Sequence, residues 1–96
     1  MRILILGADG YLGWTTAMHF AAKGYEVWGC DNFLRRNLCN TENSPPLFPI
    51  SEISERLEIF SSLAKAKISF RECDLTDYEQ VRELFANAKP DCVIHY

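Results

Sequence analysis

The chain has 96 residues, of which 48% are hydrophobic and 24% are charged, and its formal net charge is −3. This length allows one domain or part of one, and the composition is typical of globular proteins. The only adjacent basic pair is Arg35-Arg36, which argues against a nucleic-acid or anionic-membrane surface. No apolar run could cross a bilayer and the N-terminus does not resemble a signal peptide, so we expect a cytoplasmic protein.

The four cysteines, Cys30, Cys39, Cys73 and Cys92, are widely spaced and form no C-x-x-C pair. Zinc sites usually contain close pairs of cysteines, and disulfide frameworks usually accompany a secretion signal. We therefore expect structural or incidental thiols and no metal site.

The first third of the chain predicts a strand, a helix and a second strand. The apolar run Arg2–Leu6 is typical of a parallel strand that is covered on both faces. A helical pattern starts at about Tyr11 and ends at Lys23-Gly24, a basic last turn followed by glycine. Residues Tyr25–Cys30 are predicted to form the second strand.

The middle of the chain is less regular. The segment Phe33–Pro49 is rich in asparagine and proline, and we predict that it has no regular structure. Such long excursions in compact domains are usually functional or disordered. A helical period returns from Ile50 to Ala64, and Ile68–Cys73 is predicted to form a third strand.

Thr76 and Glu79 have the spacing of a capping box at the start of a helix that ends near Ala88. Cys92–His95 is predicted to be a fourth strand. The order β-α-β-α-β-α-β predicts an α/β Rossmann-type parallel sheet with the strand order 3-2-1-4. Because the fourth strand would expose an apolar edge, we expect residues 1–96 to be the N-terminal part of a longer dinucleotide-binding domain.

The segment between the first strand and the first helix contains the glycine pattern G-x-x-G-x-x-G. Backbone N–H groups at a helix N-terminus are suited to bind a phosphate. Gly7 permits the tight turn, Gly10 permits close approach of a pyrophosphate, and Gly13 permits close packing of helix and strand. After a strand and before a helix, this pattern predicts a dinucleotide site.

Asp31 follows the second strand, 18 residues after Gly13, which is close to the usual interval of about 20. Its carboxylate can accept hydrogen bonds from the adenosine ribose hydroxyls and would repel a 2′-phosphate. NAD is therefore favoured over NADP, although Arg35 and Arg36 lie nearby and arginine is the residue that accommodates NADP.

Asp74 and Leu75 follow the third strand, where the carboxyl ends of strands line the ligand crevice. Asp74 can accept from the adenine amino group, or it can be only a turn residue. Asp9 lies in the glycine loop, where a carboxylate would repel a pyrophosphate, so we expect it to bond loop backbone. His19, within the first helix, and His95, in a strand that looks buried, are expected to be structural.

Four segments together resemble the extended short-chain dehydrogenase/reductase family of sugar-nucleotide epimerases and dehydratases. They are the glycine loop, Asp31-Asn32 after the second strand, Asp74–Asp77 after the third, and the fourth strand Asp91–His95. Within that family, the segments Gly10–Trp14 and Asp31–Arg36 and the long insertion before Ser51 are most similar to the UDP-sulfoquinovose synthases.

This resemblance implies that Tyr11 and Leu12 contact the pyrophosphate through their backbone. It implies that residues 31–34 surround the adenosine ribose, that Arg35 reaches the cofactor, and that Asp74-Leu75 lies beside the adenine. The complete expected set of cofactor-binding residues is Gly7, Gly10, Tyr11, Leu12, Gly13, Asp31, Asn32, Phe33, Leu34, Arg35, Asp74 and Leu75.

The resemblance also implies a reaction. UDP-glucose and sulfite become UDP-sulfoquinovose through a 4-keto sugar, while NAD accepts a hydride from C4 and returns it. The implied partners are a nucleotide sugar and a sulfite donor, and the full-length protein is expected to be a homodimer. The family's catalytic tyrosine, lysine and threonine or serine follow the fourth strand, so no catalytic residue is expected within residues 1–96.

Other functions stay open at this stage. A UDP-hexose 4-epimerase or a nucleotide-sugar dehydratase would share the same cofactor half. A non-catalytic NAD-sensing protein would keep the glycine loop and lack the Tyr–Lys pair. A flavodoxin-like or receiver module is disfavoured, because a receiver has acidic residues where the first strand here ends in glycine. Residues 1–96 alone are expected to fold marginally and to bind NAD weakly.

Overall fold

The computed structural model describes residues 1–96, which form four parallel strands and four helices. The strands are β1 (Arg2–Leu6), β2 (Glu26–Asp31), β3 (Ile68–Glu72) and β4 (Cys92–His95). The helices are α1 (Tyr11–Ala22), α2 (Leu34–Thr41), α3 (Ile53–Ala64) and α4 (Tyr78–Ala88). The strand order β3-β2-β1-β4 confirms the predicted Rossmann-type sheet.

Strand β1 is central because its side chains supply both faces of the sheet. Ile3 and Ile5 belong to one hydrophobic cluster, and Leu4 and Leu6 belong to the other. Complete burial of Leu4 and Ile5 removes two large apolar side chains from water, worth about 2 kcal/mol each. The continuous apolar run therefore predicted a strand that is covered on both faces.

Helices cover the two faces of the sheet. Trp14, Ala17 and Ala21 of α1 pack against the face that carries Ile3 and Ile5, and residues of α3 add to this cluster. On the opposite face, Leu84 and Ala88 of α4 are buried with the β1 leucines. The result is a three-layer α/β arrangement.

The strand register brings the carboxyl ends of all four strands to one edge of the sheet. Leu6 of β1 pairs with Cys30 of β2 on one side and with His95 of β4 on the other. Asp31 at the end of β2 pairs with Glu72 of β3. Residues that follow these strand ends are therefore neighbours, as in other open parallel sheets.

The prediction that Phe33–Pro49 has no regular structure was wrong at its start, because Leu34–Thr41 forms α2. Asn37 and Asn40 lie within α2, whereas Asn43 acts at its C-terminal end. Asn43 adopts a left-handed conformation with φ of 49°. The Ser44 N–H donates to the Cys39 carbonyl oxygen, and these features together form a Schellman motif. Residues 42–52 contain no helix or strand.

The predicted helix start at Ile50 was also three residues early, since α3 begins at Ile53. The carbonyl oxygens of Ile50 and Ser51 instead accept hydrogen bonds from the Arg36 guanidinium at 3.1 Å each. This interaction fixes the backbone ahead of α3 in a non-helical conformation.

The predicted capping box of Thr76 and Glu79 was wrong. Asp77 is the N-cap of α4, and its Oδ1 accepts from the N–H groups of Glu79 at 3.1 Å and Gln80 at 3.3 Å. Thr76 instead donates its hydroxyl hydrogen to Asp74 at 2.7 Å. Aspartate caps a helix as well as threonine does, so the helix start moved by one residue.

Strand β4 pairs with β1 and has no second neighbour. Its residues Cys92, Val93 and His95 are exposed at this edge of the sheet. Because a further strand is expected to pair there, the burial of His95 stays a prediction. No helix of the chain combines the length and the apolar character needed to cross a membrane.

Candidate functional site

The glycine loop is held against strand β2 by its own backbone. The N–H groups of Gly7 and Ala8 both donate to the Cys30 carbonyl oxygen at 2.9 Å. Gly7 has a φ of +84°, in the region that favours glycine. A Cβ on Gly13 would lie 2.7 Å from the Gly7 carbonyl carbon and 2.9 Å from the Ala8 Cα. Helix α1 therefore starts in direct backbone contact with the loop.

The N-terminus of α1 presents unpaired donors. Gly10 is the N-cap, and no side chain makes a capping hydrogen bond there. The first helical bond runs from the Trp14 N–H to the Gly10 carbonyl oxygen at 2.9 Å. The N–H groups of Tyr11, Leu12 and Gly13 consequently have no intrahelical acceptor, and the helix dipole adds positive potential at the same point. The loop can accept a pyrophosphate here.

Asp31 lies between the glycine loop and the start of α2. Its Oδ2 accepts from the Asp9 N–H and its Oδ1 accepts from the Phe33 N–H, both at 2.9 Å. A carboxylate has about four lone-pair sites, so each oxygen retains capacity for one more donor. The structure thus orients this carboxylate with two backbone N–H groups and leaves it able to bind a pair of hydroxyls.

The residues after Asp31 form a tight turn into α2. The Asn32 Oδ1 accepts from the Leu34 N–H at 3.0 Å. Phe33 is the left-handed N-cap with φ of 58°, and its ring stacks on Phe70 at 5.7 Å between centroids. Leu34 and Arg35 are exposed, and Arg35 forms no ion pair. Sequence reasoning placed all four at the site, and the turn brings them beside Asp31.

Asp74 lies across from this turn. It lines an open polar cavity of about 460 Å³ together with Asn32, Leu34, Asn37, Glu72 and Gln80. Its Oδ1 accepts from the Thr76 N–H at 2.9 Å and from the Thr76 hydroxyl, and these bonds lower the pKa of the Asp74 carboxyl. Asp74 therefore acts both as a turn residue and as part of the cavity wall. Leu75 follows it and is 39% exposed.

Asp9 makes the contacts that sequence reasoning missed. Its carboxylate, 8% exposed, accepts two hydrogen bonds from Arg36 at 3.0 and 2.8 Å and one from Arg56 at 3.1 Å. Arg56 also donates to the Asp9 carbonyl oxygen at 3.1 Å, and its guanidinium lies 4.5 Å from the Trp14 ring centroid. The expectation that the Asp9 side chain bonds loop backbone was wrong, because its carboxylate accepts hydrogen bonds from Arg36 and Arg56 instead.

This group, the Asp9 cluster (Asp9, Arg36, Arg56 and Trp14), joins α2 and α3 to the glycine loop. The hydrogen bonds to Asp9 raise the pKa of Arg36, whereas burial lowers the pKa of Arg56. Both arginines remain protonated at neutral pH. The two arginines and Asp9 therefore sum to a charge of +1, and the exposed Glu52 lies 3.6 Å from Arg36. The contacts of Asp9 with Arg36 and Arg56 depend on the packing of α2 and α3, and the sequence analysis did not predict α2.

The cysteines do not form a chemical centre. All four are free, and Cys30 and Cys73 are buried. Burial raises the pKa of the Cys30 thiol to about 12 and also raises that of Cys73, so both stay protonated and unreactive. His19 is exposed. The structure contains no group of three histidine, cysteine, aspartate or glutamate side chains that could hold a metal ion.

Residues 3–96 match the model of the NAD dependent epimerase/dehydratase family. The chain is 35% identical to the UDP-sulfoquinovose synthases of Spinacia oleracea and Sulfolobus acidocaldarius, over 99% and 100% of its length. It is 34% identical to a UDP-glucose 4-epimerase of Drosophila melanogaster over 98% of its length.

A solved structure from Burkholderia cenocepacia, described as a candidate epimerase, aligns with 99% of the chain with a TM-score of 0.61 and 27% identity. The chain spans only 20% and 24% of the two synthases and 24% of the epimerase and of the solved chain. The family model covers nearly the whole chain, and the glycine loop and the uncapped helix start fit the cofactor that its members bind. The chain belongs to the NAD dependent epimerase/dehydratase family, whose cofactor is NAD.

Proposed function

We propose that the chain is the N-terminal, NAD-binding part of a nucleotide-sugar enzyme that makes UDP-sulfoquinovose from UDP-glucose and sulfite. The observation that supports this reaction most strongly is the ion pair of Asp9 and Arg36 in the Asp9 cluster. The two segments that most resemble the sulfoquinovose synthases, Gly10–Trp14 with its preceding Asp9 and Asp31–Arg36, meet there through the Asp9–Arg36 ion pair at 2.8 Å. The two relatives with that name are 35% identical over nearly the whole chain.

Within this proposal, the residues of the chain bind and orient the cofactor. The first-turn N–H groups of α1 hold the pyrophosphate, and Asp31 holds the adenosine ribose. Asn32, Phe33, Leu34 and Arg35 enclose the ribose. Asp74, in the wall of the polar cavity, and the adjacent Leu75 border the adenine. When bound, NAD supplies reversible acceptance of a hydride. We further propose that the full-length protein uses a nucleotide sugar and a sulfite donor, forms a homodimer and is cytosolic.

The reaction is tested with the full-length protein, NAD and UDP-glucose, with and without sulfite. We expect a sulfonated nucleotide sugar, detected by mass spectrometry, only when sulfite is present. UDP-galactose formed without sulfite would contradict the proposal and favour the second candidate, a UDP-hexose 4-epimerase, which the Drosophila relative supports. Tight NAD binding with no sugar product would favour a cofactor-sensing protein.

The ribose site predicts the effect of Asp31→Ala. The variant should lose about 1.5–3 kcal/mol of NAD binding free energy, because a hydrogen-bonded carboxylate is removed. Calorimetric titration of the full-length protein measures this loss, with thermal unfolding to show that the variant is folded. Asp91→Asn is the matched control, since Asp91 accepts from the Arg2 N–H at the opposite edge of the sheet. Unchanged NAD affinity in Asp31→Ala would remove Asp31 from the site.

A further inference from the structure

The Arg36 guanidinium is almost fully engaged within the protein. Nε and Nη2 donate to the two Asp9 carboxylate oxygens at 3.0 and 2.8 Å. Nη1 and Nη2 also donate to the carbonyl oxygens of Ile50 and Ser51 at 3.1 Å each. Arginine has five N–H donors, so one N–H on Nη1 makes no hydrogen bond, and the exposed Glu52 carboxylate lies 3.6 Å from that nitrogen. The side chain is 17% exposed, which further limits its access to a ligand.

This engaged arginine lies next to the proposed ribose site. The Asp9 N–H donates to the Asp31 Oδ2 at 2.9 Å, while the Asp9 carboxylate holds Arg36. A single residue therefore separates the carboxylate expected to bind the ribose hydroxyls from a guanidinium. Arginine near this position accommodates the 2′-phosphate of NADP, and a phosphate is best bound by two parallel N–H donors.

We propose that Asp9 is a specificity-determining residue that withholds Arg36 from the 2′-phosphate of NADP. This inference rests on the proposed placement of the adenosine ribose at Asp31, but not on which sugar reaction the protein performs. Asp31 disfavours the phosphate by charge repulsion, and Asp9 removes the cation that could compensate. Selection for NAD thus depends on two carboxylates in different elements, one of which does not contact the cofactor.

The test is the ratio of NADP to NAD affinity, measured by calorimetric titration of the full-length protein. Asp9→Asn removes the charge that holds Arg36 and nearly preserves the shape of the side chain. We expect its NADP affinity to rise about tenfold relative to its NAD affinity, the scale of one charge-assisted contact. A merely structural role would weaken both cofactors and leave the ratio unchanged, and that result would overturn the proposal.

Two further variants identify the responsible cation. The gain in NADP affinity relative to NAD affinity should disappear in the double variant Asp9→Asn/Arg36→Gln. If the gain persists there and disappears in Asp9→Asn/Arg35→Gln, the exposed Arg35 binds the phosphate and the proposal is wrong. Glu52→Gln is the matched control, because Glu52 is 3.6 Å from Arg36 and 74% exposed on its side chain. It should leave the ratio unchanged, since the four hydrogen bonds of Arg36 remain.

Arg36→Gln alone keeps the proposal testable if Asp9→Asn does not fold. Because the guanidinium is already withheld, this variant should change the affinity ratio less than about twofold. A clear fall in relative NADP affinity would show that Arg36 already reaches the phosphate, which would overturn the proposal. The Asp31→Ala titration tests the ribose placement separately, so failure of the placement and failure of the Asp9 role give different results.

Discussion

Gly13→Ala is expected to destabilise the protein by about 3 kcal/mol and to abolish NAD binding. The new Cβ would overlap the backbone of Gly7 and Ala8, with 2.7 and 2.9 Å to their nearest carbon atoms. These atoms cannot move alone, because the Gly7 and Ala8 N–H groups are bonded to β2. Overpacking against a fixed neighbour costs about 1–3 kcal/mol or more. Urea unfolding of the full-length protein measures the loss.

Gly10→Ala is the matched control for this prediction. Its Cβ would meet only the Gly7 carbonyl oxygen, at 3.3 Å, and its φ of −75° suits any residue. We expect a stability loss of no more than about 1 kcal/mol, the scale of an N-cap change. The Gly10 variant should nevertheless bind NAD less tightly. Equal stability losses in the two variants would contradict the close contact assigned to Gly13.

Asp9→Ala is also expected to cost about 3 kcal/mol of stability. It leaves Arg36 and Arg56, with side chains 17% and 15% exposed, without their shared carboxylate. Removing one partner of a largely buried ion pair strands a charge, which costs about 3–5 kcal/mol when burial is complete. The measurement is again urea unfolding of the full-length protein.

Two controls, a variant of the exposed Glu52 and high salt, distinguish the stability loss in Asp9→Ala from a general charge effect. Glu52→Ala removes an exposed partner of the same Arg36 and should change stability by less than about 1 kcal/mol. The loss in Asp9→Ala should persist in 1 M salt (about 1 M is enough to screen exposed charges). A loss that disappears at high salt would show that the cluster behaves as an exposed ion pair.

The sheet could be predicted because its information is local. The apolar run of β1 supplies both faces, and the spacing from Gly13 identified Asp31, which is the last residue of β2. The same local reasoning failed at α2, which buries no residue of its own. That helix is fixed by the turn at Asn32, by the Arg36 contact with Asp9 and by the Schellman motif at Asn43.

The candidate site, like the sheet and α2, could be predicted only in part from the sequence. The glycine pattern identified where a helix N-terminus is left without caps, because glycine spacing is visible in one segment. The partners of Asp9 could not be found from spacing, since Arg36 and Arg56 are 27 and 47 residues away. Their meeting requires α2 and α3 to pack over the loop. Charge repulsion predicted that Asp9 turns away from a pyrophosphate, but it could not identify Arg36 and Arg56 as the partners of the Asp9 carboxylate.

The Arg36 contacts with Ile50 and Ser51 also bear on how this region tolerates insertions and deletions. The segment that follows Asn43 is closed at one end by the helix-terminating motif and at the other by the two carbonyl oxygens that Arg36 holds. Residues 44–49, between these two anchor points, contain no helix or strand. Doubling the length of such a loop costs only about 0.6 kcal/mol in closure entropy. Length changes between Ser44 and Pro49 can therefore accumulate while the glycine loop and Asp31 keep their geometry.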